Sequence, residues 1–60
     1  MKVRELIGIL NKDGWIAKHQ KGSHLQLIHP TKKGKVTVPV HSGDIPKGTL
    51  NAIFRQAGIK

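Results

Sequence analysis

An α+β sandwich, with two helices laid on one face of a three-stranded antiparallel sheet, is the fold class this sequence predicts. Three observations point there. Apolar residues recur at helical spacing near the start of the chain and again near its end. Between them lie three short segments separated by turn residues, and in the second and third of these apolar and polar side chains alternate. Such a sheet has a single apolar face, so both helices must bury their stripes on it, side by side.

The first helix rests on Val3, Leu6, Ile7 and Leu10, which fall at i, i+3, i+4 and i+7; Asn11 to Gly14 stops it. Trp15 to Gln20, His24 to His29 and Lys35 to Val40 read as strands, with turn chemistry at Gly22-Ser23 and at Pro30-Thr31-Lys32-Lys33-Gly34. Alternation puts Leu25 and Leu27 on one face of the second strand, and Val36 and Val38 on one face of the third. Those are the core faces, because the alternate positions are polar or basic. Leu50, Ile53, Phe54 and Ala57 repeat the helical stripe, with Pro46 suited to the first turn and Gly58 to the position past the end. The 60 residues form one domain, without repeat, linker or low-complexity segment.

Parity constrains the first hairpin. A two-residue Gly22-Ser23 loop would set Lys18 opposite Leu27 and carry a lysine into the core. A three-residue loop, Lys21-Gly22-Ser23, instead places Trp15, Ala17 and His19 on the Leu25 and Leu27 face. The expectation is the three-residue loop. It leaves Ile16, Lys18, Gln20, His24, Gln26, Ile28, Lys35 and Thr37 on the opposite, open face, with Ile16 across from Ile28.

Composition narrows function. A chain this short buries only about 60% of its unfolded surface, so chemistry is expected on a face or an edge rather than in a deep pocket. There is no cysteine, which excludes disulfides, thiolate metal sites and cysteine nucleophiles. No apolar run approaches a membrane span and no signal-peptide core opens the chain; a soluble, cytoplasmic protein is expected. Eleven Lys and Arg against three acids give a net charge of +8, a balance that points to a polyanion such as nucleic acid. The acids are Glu5, Asp13 and Asp44, so residues 14–43 hold no carboxylate, while the same stretch holds all four histidines. Carboxylate-pair catalysis and a hard-cation site have no material there.

His19, His24, His29 and His41 have neither cysteine nor acid beside them, and no metal site or other cofactor is expected from them. His19 reads as a strand-edge residue, His29 as one that closes its strand by hydrogen bonding near the turn, and His41 as a solvated loop residue. His24 differs, because it opens a strand directly after Lys21-Gly22-Ser23 and projects onto the basic face. RNA carries its own nucleophile, the 2′-hydroxyl, so cleavage needs only a proton acceptor or donor and cations to hold phosphate. His24 is the candidate for the first task. Lys18, Lys21 and Lys35 are candidates for the second, with Gln26 on the same face and Lys32 and Lys33 at the neighbouring turn. Lys2, Arg4, Lys12 and Lys60 read as solvated charges. With Trp15 in the core no aromatic platform remains for stacking bases, so strong sequence preference is not expected.

Gly14-Trp15, Gly22-Ser23-His24, His29-Pro30 and Val36-Thr37-Val38-Pro39-Val40-His41 together resemble a known family, as do Ile45-Pro46-Lys47-Gly48-Thr49-Leu50 and Arg55-Gln56-Ala57-Gly58-Ile59. They are similar, in order and over nearly the whole chain, to the HicA toxins. The resemblance implies a fold like the double-stranded-RNA-binding domain and an mRNA-cleaving toxin that acts without metal. It further implies inhibition by a HicB-like antitoxin that covers the site. The family's catalytic histidine follows the glycine of the first hairpin, which here is His24, and Gly22 and Ser23 would shape the turn presenting it. Pro46, Gly48 and Thr49 match a motif read as structural. Trp15 stands where the family usually has phenylalanine, a change of packing rather than of activity. Two further readings come from the residues: a non-catalytic RNA-binding module, and a face whose Ile16 and Ile28 are buried by an acidic protein partner.

Overall fold

The computed structural model describes residues 1–40 and 43–59, so the expectations for His41 and Lys60 lie outside the described residues. The order is α1 (Val3–Asp13), β1 (Ile16–Lys21), β2 (His24–Ile28), β3 (Val36–Pro39) and α2 (Lys47–Ala57). The sheet is antiparallel in the order β1-β2-β3, so the strand that begins at His24 is the central one. The core is built from Leu6 and Leu10 of α1, Ile53 and Ala57 of α2, and Leu27, Val36 and Val38 of the sheet, closed by Trp15 and Ile45. Contributions from both helices and one sheet face in a single cluster make this the two-layer α+β arrangement expected from the pattern.

Both helices stop in the same way. Gly14 (φ 114°) and Gly58 (φ 71°) take the left-handed conformation that lets the chain turn back over the last carbonyls. The N–H of the next residue then reaches back five positions, Trp15 to the Leu10 carbonyl and Ile59 to that of Phe54, each at 2.9 Å. An apolar residue at that point packs onto the core, which is why Gly-Trp and Gly-Ile end the two helical patterns. At the start of α1 the Glu5 carboxylate accepts the Lys2 backbone N–H at 3.0 Å.

The C-terminal ends of the two helices are tied together. Trp15 Nε1 donates to the Ala57 carbonyl at 3.1 Å. Lys32 Nζ donates to the same carbonyl at 3.0 Å and to Asp13 Oδ2 at 2.6 Å. His29 Nδ1 accepts the N–H groups of Thr31 and Lys32 at 3.0 and 3.1 Å, so its proton sits on Nε2, which donates to the Asp13 carbonyl at 2.7 Å. The strand-closing role expected of His29 is thus observed, and its ring also packs edge-on against Trp15, with centroids 5.2 Å apart.

The first hairpin departs from expectation. Lys21 pairs with His24, so the loop is the two-residue Gly22-Ser23, and Gly22 (φ 59°) supplies the positive φ that a type II′ turn requires of its first central residue. Lysine stays out of the core because the register slips between Ala17 and His19: Ala17 faces Leu27, but His19 faces Gln26. Lys18 is the extra residue of a β-bulge. Trp15, Ala17 and the Ile16–Ile28 pairing therefore lie as expected, whereas His19 and Gln20 exchange faces. His19 joins the open face, and Gln20, opposite Leu25, leaves it.

Candidate functional site

Among the described residues, the open face carries none of the buried ones. Directly opposed residues share a face, so β1 contributes Ile16, His19 and Lys21, β2 contributes His24, Gln26 and Ile28, and β3 contributes Thr37 and Pro39. His24 is bracketed by Lys21 on one side and Pro39 on the other. Its placement is reinforced by backbone: the Ser23 carbonyl accepts the Val40 N–H at 2.6 Å, and Gln20 Nε2 donates to the Gly22 carbonyl at 3.1 Å. The turn that presents His24 is thereby fixed to β3 as well as to β1, and the imidazole itself is exposed.

Around His24 the sheet brings together Lys21, Gln26 and His19, with Lys18 exposed at the bulge. Lys35 precedes Val36, the partner of Leu27, and so stands at the other end of the sheet from Pro39. Four strand rises separate Lys35 from Pro39, about 13 Å. Lys33 lies in the exposed loop beyond that end. These two lysines are not beside His24; an RNA strand running along β2 would meet them farther down. Lys32 is diverted altogether, because its ammonium is occupied by Asp13 and by the end of α2. A loop lysine that the sequence offers as a phosphate contact is a structural clamp.

Among the described residues no acidic side chain is left to orient His24. Glu5 caps α1, Asp13 is held by Lys32, and Asp44 faces Lys2 Nζ at 3.6 Å in the segment before α2. The hydrogen bond from Lys32, strengthened by its charge, holds the Asp13 carboxyl below the usual carboxylate range. Among the described residues no three metal-ligating side chains come together, and no helix is long and apolar enough to cross a membrane. Exposed apolar side chains on the open face are the opposed pair Ile16, 61% accessible, and Ile28, 39%.

His19 reaches the open face only through the bulge, so simple alternation does not pick it out. The usable signal was the conflict itself: a Gly-Ser dipeptide favours a two-residue hairpin, yet that loop sends a lysine into the core, and a bulge resolves both. A small α+β domain with a cation-rich, acid-free sheet face presenting a histidine from its central strand defines the class. The description "HicA toxin of bacterial toxin-antitoxin" fits residues 3–59. The chain belongs to the HicA toxin family. A solved structure, "Toxin-Antitoxin complex from Streptococcus pneumoniae", superposes with a TM-score of 0.83 at 30% identity and covers 98% of each chain. No curated protein sequence matches the chain.

Proposed function

We propose that this HicA-family toxin is a metal-independent endoribonuclease that cleaves mRNA at the open face, with His24 transferring the proton. The supporting observation is the placement of His24, held on the central strand between Lys21 and Pro39, on a face with cations and no carboxylate. A positioned general acid or base contributes roughly 10²–10⁴-fold. Lys21 and Lys18 would hold the phosphate at the scissile bond; Lys35 and Lys33 would hold backbone farther along, and Gln26 would contact the strand between them. Gly22 and Ser23 would keep the turn in place. Attack of the 2′-oxygen on phosphorus breaks the P–O5′ bond and yields a 2′,3′-cyclic phosphate and a 5′-hydroxyl.

The partner proposed is a HicB-like antitoxin that covers His24 and buries Ile16 and Ile28, the apolar pair on that face. Two bound isoleucines left accessible to solvent in the complex would contradict it.

The test is controlled expression of wild type and His24→Ala, following growth and mRNA integrity. Growth arrest with loss of mRNA in the wild type alone, with cyclic phosphate termini and undiminished cleavage in chelator, is the expected outcome. Folded but harmless proteins in both cases, binding RNA equally, would favour a non-catalytic RNA-binding module. Equal toxicity of both would remove His24 from the site.

A further inference from the structure

We propose that His19 is the second proton-transfer residue of the open face, acting with His24 as an acid–base pair across the scissile phosphate. The inference rests on the ribonuclease reading and supplies what that reading lacks. Cleavage moves two protons: one leaves the 2′-hydroxyl as its oxygen bonds to phosphorus, and one must reach the 5′-oxygen as the P–O5′ bond breaks. The two oxygens lie on opposite sides of phosphorus in an in-line displacement, so one imidazole does not reach both at once.

A carboxylate does not fill the second role, since Glu5, Asp13 and Asp44 are each engaged elsewhere in the fold. His19 is placed for it. It pairs with Gln26, while His24 pairs with Lys21, so the two histidines are diagonal neighbours on one face of β1 and β2. Diagonal neighbours stand about 7–8 Å apart. That separation leaves room for a phosphorus with its two in-line oxygens, each within a hydrogen bond of about 2.6–3.2 Å from its own imidazole. Lys21 lies beside both, where charge develops on the non-bridging oxygens. Lys18, exposed at the bulge next to His19, adds a second cation; among the described residues the other side chains facing the pair, Gln26 and Thr37 on this face and Pro39 beyond His24, carry no charge.

The bulge gives the placement its force. Uninterrupted alternation from Ala17 would turn His19 toward the helices; the one extra residue at Lys18 re-aims it onto the face that bears His24. In the reaction one imidazole begins neutral and takes the 2′-proton, while the other begins protonated and gives its proton to the 5′-oxygen. Their states are exchanged at the end, and water restores them.

Steady-state cleavage of a short RNA across pH tests this with the wild type, His19→Ala and His19→Arg, each checked for an unchanged circular dichroism spectrum. The wild type should show a bell-shaped profile. Both variants should lose about 10²–10⁴-fold in kcat, keep KM within about threefold, and lack one limb of the bell. Arginine keeps the positive charge but does not titrate, so a His19→Arg enzyme with wild-type kcat and both limbs would make His19 a phosphate contact and overturn the inference alone. Full activity in His19→Ala would do the same. A wild type that cleaves no RNA removes the underlying reading, and this inference with it.

Discussion

Gly14 is the residue at which most of the fold's constraints meet. Its φ of 114° disfavours any side chain, and a β-carbon there would lie 2.6 Å from His29 Nε2. Gly14→Ala should therefore strain the backbone and push the imidazole off the Asp13 carbonyl, a loss of about 2–4 kcal/mol. A domain of this size has only about 3–5 kcal/mol from its core, so denaturant titration should find the variant largely unfolded; a midpoint near wild type would refute the role of the close contact. Trp15→Phe probes the neighbouring tie. It keeps the aromatic packing but removes the Nε1 donor to Ala57 and some buried volume, at a cost of about 1–3 kcal/mol by the same measurement. Ala57 keeps its bond from Lys32, so this variant should fold.

Asp13 and Lys32 join the end of α1 to the end of α2. Because the folded Asp13 carboxyl is depressed below its unfolded value, its contribution is present at neutral pH and fades in acid as pH falls through the lowered folded-state value. The gap in denaturation midpoint between wild type and Asp13→Asn should accordingly be open at neutral pH and closed in acid. A gap independent of pH would mean that the ion pair contributes nothing. The helices that this pair joins were legible in the sequence, because period, terminal glycine and the apolar residue after it all agree. Strand positions were legible as well, and so was the open face near Ile16 and Ile28. The hairpin was not. Parity counting assumes uninterrupted alternation, and a bulge leaves no composition of its own, so His19 was assigned to the wrong face. Lys32 was unreadable for another reason: its partners are 19 and 25 residues distant, and a loop lysine looks the same whether solvated or clamped.

At the scale of the molecule, the charge is partitioned. All three acids serve the helix side or its connections, which leaves the open face purely cationic. RNA binding at this face, as proposed, should then be strongly salt-dependent. With His24→Ala used to prevent the proposed cleavage, each phosphate contact removed should make the negative slope of log K against log salt shallower by about 0.7 for single-stranded RNA. Adding Lys21→Ala should show that change, and adding Lys32→Ala should leave the slope unchanged because its ammonium is already committed. Equal changes for both would mean that Lys32 leaves its clamp to bind RNA.

The two faces of the sheet answer to different demands. Among the described residues every fully buried side chain lies on the helix side, and substitutions at exposed positions away from caps and networks cost about 0.5 kcal/mol or less. Variation can therefore accumulate on the open face without passing through an unfolded ancestor. If target and neutralising protein meet on this face as proposed, both can change against the same scaffold, one exposed position at a time. On the function proposed above, a toxin disarmed at His24 would keep the surface its neutraliser grips, and in the same cell it would act as a decoy for it.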